Sequence, residues 1–219
     1  MVSEVLKKEI EHYYAHMRQT NPLFQNAKNG TLTAQSMNRY LAGILFLIRH
    51  TPVHLRLAKM RAKELGQDRI ADFYASKLHE EEGHDQWARA DIAKMRALSP
   101  VPEHLKGPNV PPPIMDLVSY IEEQIRNDPP RYLAYIFLAE YFTVLAGPEW
   151  LADLESHCGI PKTFMSVIGN HVDLDQAHVL DDIKEIDKYL DDSKVAAATK
   201  VLKGAMNFHE AFCTDVGKH

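Results

Sequence analysis

The sequence predicts an all-α protein, a single bundle of seven or eight helices. Three observations lead there. Apolar residues recur at three- and four-residue spacing through most of the chain, and no run keeps the strict alternation of a strand. Gly and Pro punctuate the chain at intervals that suit helices.

Taken in order, residues from about 3 to 19 read as an amphipathic helix. Thr33 is a candidate N-cap for a helix running to about Arg49, where Pro52 predicts a break. A helix from about 53 to 65 stops at Gly66, and one long helix spans Asp68 to about Leu98. The stretch SPVPEHLKGPNVPPP, residues 99 to 113, is dense in Pro and Gly. Helices on both sides of it carry parts of one candidate site, so it reads as a crossover inside one domain, residues 1–219, rather than as a linker. Further helices follow at about 114–127, 131–146, 148–157, 161–189 and 193–213, the last with Ser193 as its cap.

Composition narrows the function. The 219 residues are 45% apolar and 25% charged, the balance of an ordinary globular domain large enough for a substantial core. The net charge of −5 and the lack of any basic run argue against a nucleic-acid or anionic-membrane surface. Cys158 and Cys213 are too few for a disulfide framework and sit in no recognisable activating context, so both read as inert thiols. The N-terminus MVSEVLKKEIEHYY is charged and amphipathic rather than a signal peptide, and no apolar run approaches a membrane span. The expected location is cytoplasmic.

Histidine is the outlier, with twelve in the chain. In GNHVDLDQAHVLDD, His171, Asp175 and His178 stand at i, i+4 and i+7, and so share one helix face with Ile168, Gly169 and Val172. Burying an aspartate with two imidazoles is costly unless something pairs with them, and a divalent ion would. The alternative is a half-solvated polar stripe or a hydrogen-bonded His–Asp set. In KLHEEEGHDQW, Glu81 and His84 have the E-x2-H spacing by which bundle helices chelate iron or manganese, with Glu80 as a competing register. The alternative there is a solvated acidic face. Glu140 is a lone carboxylate inside the apolar run RYLAYIFLAEYFTVLAG, where a buried Glu needs a partner. Together Glu81, Glu140 and Asp175 with His84, His171 and His178 make a three-carboxylate, three-imidazole set suited to two Fe(II) ions, or to Mn(II). The absence of thiolates among them argues against structural zinc or iron–sulfur clusters.

At these residues the chain resembles the heme-oxygenase-like diiron oxidases and oxygenases, relatives of thiaminase II and of the pyrroloquinoline-quinone synthase oxidase. The resemblance covers roughly residues 5 to 210 and rests on H-x3-D-x2-H at 171–178, the isolated Glu140 and the Glu81/His84 pair. Many relatives space the first pair E-x6-H, but seven residues before His84 stands Lys77. The resemblance implies a bundle of about seven helices and a diiron centre, unstable or assembled with substrate, that activates O2. Its reaction would oxidise a small organic molecule derived from an amino acid or fatty acid, in some members for natural-product biosynthesis; a homodimer is the family's common assembly. In that scheme His84 and His171 ligate one iron, Asp175 and His178 the other, and Glu81 and Glu140 bridge or cap the pair. The rival readings are a metal-free thiaminase-like hydrolase or cofactorless oxidase of the same fold, an iron-binding protein without turnover, and a scaffold. For the substrate, Arg39, Arg49 or Arg56 would clamp a carboxylate, and Tyr40, Phe46, Phe137, Tyr141 and Phe142 are candidate pocket aromatics, against the alternatives of surface arginines and plain core.

Overall fold

The structure, a computed structural model, describes residues 1–98 and 110–218. Among them the chain forms helices and short 3-10 turns, with no strand. The helices are α1 (Val2–Thr20), α2 (Pro22–Lys28), α3 (Ala34–Glu64), α4 (Asp68–Glu81), α5 (Asp85–Leu98), α6 (Pro112–Asn127), α7 (Tyr132–Cys158), α8 (Ser166–Tyr189) and α9 (Val195–Gly217). Most of the proline-rich crossover lies outside the described residues.

Helix α7 is the axis of the bundle. Its residues 132 to 138 are buried without interruption, the pattern of a helix enclosed on every side. Helices α1, α2, α8 and α9 pack around it. The surrounding helices bury single stripes instead: Val2, Leu6, Ile10, Tyr13 and Met17 on α1, and Ile114, Leu117, Ile121 and Ile125 on α6. A second layer is built on α3, which contacts α4, α5, α6 and α9.

Several boundaries differ from the sequence reading. Thr33 does cap α3, its side chain accepting from the Ser36 N–H at 3.1 Å. Pro52 does not end that helix, which runs unbroken for 31 residues. Proline removes one backbone donor, and the apolar contacts that α3 makes on both sides of it outweigh that loss. Pro148 is likewise carried inside α7. The long helix expected from 68 to 98 is instead broken, with α4 ending at Glu81 and α5 starting at Asp85. Gly83 makes the break, at φ +93°, a conformation that residues with a Cβ rarely adopt. Ser193 is not the cap of α9; it sits in a 3-10 turn whose backbone N–H is held by Asp191 at 2.9 Å. The short helix α2, begun by Pro22 and capped by Asn21, was absent from the sequence reading.

Two histidines, His54 buried and His209 half-buried, are held neutral. Burial, with a smaller contribution from the charge of His50, pushes the pKa of His54 down to about 4, and its Nε2 has no hydrogen-bond partner. Burial alone pushes His209 down to about 4. A base with a depressed folded pKa contributes stability that is complete above its unfolded value, near 6.5, and is lost as pH falls toward the folded value. Each costs up to about 3 kcal/mol by pH 4. Denaturant titrations from pH 7 to pH 4 will therefore show a fall in stability that is shallower in His54→Leu; identical slopes would contradict this.

Candidate metal centre

The site lies where α4, α7 and α8 meet, with α5 behind it. Glu140 is near the middle of α7 and buried, only 7% exposed. Asp175 is buried on the inner face of α8, and His171 and His178 flank it, half-buried. Close contact of α7 with α8 depends on Gly147, where a Cβ would overlap the Val172 side chain.

Five of the six predicted side chains form two groups that share Glu81, and the sixth, Asp175, lies beside His178 of the second. In the first, Glu81, His84 and His171 each offer a ligand atom within 4.8 Å of the others. Glu81 Oε2 lies 3.1 Å from His84 Nδ1, and the His84 and His171 rings are 5.0 Å apart at 88°. His171 Nδ1 is 2.7 Å from the Val167 carbonyl. A carbonyl only accepts, so Nδ1 carries the proton and the Nε2 lone pair is left for a metal. The E-x2-H pair does not act from one helical turn as expected: Glu81 is the last residue of α4, and His84 sits in the turn beyond Gly83. His84 is buried and stacks on Trp87 at 4.3 Å.

The second group is Glu81, Glu140 and His178, again within 4.8 Å. His178 Nδ1 is 3.8 Å from Glu140 Oε1 and 3.4 Å from Asp175 Oδ1. Glu80 is exposed, 3.6 Å from His178 Nε2, and belongs to neither group.

A cation already stands in this second group. The Lys77 side chain is 4% exposed, and its Nζ lies 2.8 Å from Glu140 Oε1, 3.8 Å from Asp182 Oδ1 and 3.9 Å from Glu80 Oε2. Burial works against the ammonium, but the charges of Glu140 and Asp182, the hydrogen bond to Glu140 and the charge of Glu80 together raise its pKa above the ordinary lysine value. Glu81 is pulled below the usual carboxylate range: burial opposes this, and the hydrogen bond to His84 with the charges of His171, His84 and Lys77 overcomes it. Burial raises Glu140, and burial with the charge of Glu140 raises Asp182 well above the ordinary value. The Asp175 carboxylate, 3.4 Å away, raises His178.

The fit to two metal ions is thus uneven. Glu81, His84 and His171 suit one ion, two imidazoles and a carboxylate that meet only one another, through the contact of Glu81 with His84. In the other half one of the two Glu140 oxygens, Oε1, is committed to an ammonium, while Oε2 is buried without a hydrogen-bond partner.

Three residues of the site were not recognised from the sequence. Lys77 was noted only as a departure from the relatives' spacing, yet it continues the buried stripe Ile70, Tyr74 of α4. Asp182 continues the stripe Asp175, Val179 of α8. Asp91 on α5 is wholly buried and accepts from the Val167 N–H at 2.7 Å and from Ser166 Oγ at 2.6 Å. It supplies the cap that the first turn of α8 lacks and so ties His171 to the helix behind His84. In each case the signal is a charged residue standing at an apolar position of a helical stripe.

A cavity of about 180 Å³ adjoins the centre. Its lining includes Glu81, Glu140, His171 and Asp175 of the centre, His209 and Cys213 of α9, and apolar residues such as Tyr40, Ile44, Leu138, Phe142 and Trp150. Tyr40 and Phe142 are therefore pocket residues, while Phe137 is fully buried core and Phe46 and Tyr141 are not in the lining. The arginine clamp is not found: Arg39 pairs with Asp215, Arg49 is exposed, Arg56 reaches Glu82 at 3.5 Å, and no Arg or Lys is among the described lining residues.

Gly147→Ala will force α7 and α8 apart at Val172, with a stability loss of about 1–3 kcal/mol. Thermal melts will show most of that loss recovered on adding Val172→Ala; no loss in the single variant would contradict the close approach.

No family model matches the sequence, and no curated protein matches it. Solved structures do match. A domain of unknown function with a heme oxygenase-like fold from Shewanella denitrificans has TM-score 0.85 at 18% identity, over 98% of this chain and 91% of that one. A TenA homolog from Pseudomonas syringae pv. tomato has TM-score 0.75 at 16% identity, over 99% and 92%. A CADD-like protein of unknown function from Nostoc punctiforme has TM-score 0.73 at 11% identity, over 99% and 97%. The chain has the heme oxygenase-like fold, with two clusters of metal-capable side chains at its centre.

Proposed function

We propose that this protein is a non-heme, Fe(II)-dependent oxidoreductase that uses O2 on a small, largely apolar organic substrate. The observation that carries this reading is the convergence of Glu81, His84 and His171, of which Glu81 and His171 line an apolar cavity. Two imidazoles and one carboxylate leaving open positions are the donor set of non-heme Fe(II) oxygenases. Such an ion, when bound, supplies the open coordination positions and the electrons that let O2 react with an organic molecule.

The chain's own residues do the rest. Glu81 is held ionised and gives the site a negative charge that offsets part of the ion's. Asp91 and the Val167 carbonyl hold His171 in place and in one tautomer. The aromatic and aliphatic wall excludes water and packs an apolar chain or ring. His178, with Asp175 beside it, holds a proton within reach of the centre. Among the described lining residues there is no Arg or Lys, and most of the wall is apolar, which favours recognition through an apolar part of the substrate. Cys213 and His209 lie 3.6 Å apart on the cavity wall, but burial raises the thiol's pKa and lowers the imidazole's, which disfavours the thiolate a hydrolase would need.

The test is anaerobic loading of the purified protein with Fe(II), followed by O2 uptake in the presence of fatty acids, apolar amines and amino acids. The proposal expects tight iron binding that His84→Ala and His171→Ala each weaken by about 100-fold or more, and O2 uptake accelerated by at least one substrate class. Iron binding indifferent to both substitutions would refute it.

A further inference from the structure

We propose that the Lys77 ammonium occupies the position of the second metal ion, so that each chain binds one transition-metal ion, at Glu81, His84 and His171, beside a built-in organic cation. The inference rests on the metal reading of that triad and adds to it the number of ions and the nature of their neighbour.

The geometry is specific. Glu81, Glu140 and His178 bring ligand atoms together as a second ion would require, and Glu81 belongs to both groups, as a shared ligand would. Yet Glu140 Oε1 is already the hydrogen-bond acceptor of Lys77 Nζ at 2.8 Å. It is also the oxygen that His178 Nδ1 approaches, at 3.8 Å. An ion placed between Glu140 and His178 at that oxygen would have the ammonium as its neighbour, and only Glu140 Oε2, buried and without a hydrogen-bond partner, is left to it. The ammonium fills the space beside that oxygen and already supplies positive charge to the carboxylates that a second ion would neutralise.

Lys77 is poorly placed to leave. It stands on the inward stripe of α4, one turn from Tyr74 and one turn from Glu81, and its side chain is 4% exposed. Asp182 and Glu80 lie farther out on the same ammonium, at 3.8 and 3.9 Å. The lysine therefore supplies one positive charge and three N–H donors where a metal would supply two charges and open coordination positions. A neighbouring metal is left with a single-ion site whose second face is a fixed hydrogen-bond donor.

The experiment uses the full chain loaded with Mn(II) under anaerobic conditions, freed of unbound metal, and read by metal analysis and electron paramagnetic resonance. The wild type is expected to hold one Mn(II) per chain with the six-line spectrum of an isolated ion, and to lose it in His84→Ala. Lys77→Glu, which replaces the ammonium by a carboxylate, is expected to raise the content to two per chain with the spectrum of a coupled pair. Two coupled ions in the wild type would overturn the inference while leaving the metal reading of the triad standing. No ion in the wild type would overturn both. A single ion retained in His84→Ala would place it outside the triad and also overturn the inference. A folded Lys77→Glu protein that stays at one ion would remove the lysine as the cause. If Lys77→Glu does not fold, the wild-type content, its spectrum and the His84→Ala result decide.

Discussion

The buried ion pair between Lys77 and Glu140 governs how the centre of this bundle is arranged. A carboxylate in the most enclosed helix of the protein would be prohibitively costly alone, and the lysine from α4 compensates it at 2.8 Å. Losing either partner leaves an unpaired buried charge, worth about 3–5 kcal/mol. The pair links α4 to α7, and Glu81 lies one turn farther along α4. It also leaves Asp182 and Asp175 to settle their own charges nearby. Burial and the charge of Glu140 raise the carboxyl of Asp182, and Asp175 lies beside a histidine whose pKa it raises.

Around that pair, two backbone features shape the triad. The break at Gly83 turns the chain between Glu81 and His84, so that the imidazole rises from a turn and stacks on Trp87 instead of following the acid along a helix. Gly147 lets α8 approach α7 closely enough for Asp175 and His178 to reach Glu140. Asp91 then holds the start of α8 from the far side. The result is a polar centre that lines part of a largely apolar cavity.

Much of this was legible in the residues. The all-α class followed from periodicity, and all six predicted side chains lie in the two adjoining groups or, for Asp175, against one of them. Local rules failed where tertiary contacts outweighed them. Pro52 and Pro148 each remove one helical hydrogen bond, a smaller effect than the packing that carries α3 and α7 through. The break at Gly83 went the other way, because one glycine in an acidic run looks tolerable inside a helix and its positive φ is invisible in sequence. Lys77 was misjudged for a different reason. Comparison with relatives marks it as a missing acid, whereas its place in the stripe Ile70, Tyr74, Lys77 marks it as an inward-facing cation. Stripe membership was the better guide, and it also finds Asp91 and Asp182.

The account turns on two cations of different kinds side by side, a metal held by two imidazoles and a carboxylate, and an ammonium held by Glu140. The most direct test is a crystal grown with Mn(II), with anomalous diffraction recorded near the metal's absorption edge. The account predicts one anomalous peak, in contact with Glu81, His84 and His171, and Lys77 still bonded to Glu140. A peak bound by Glu140 and His178, with the lysine displaced, would contradict it.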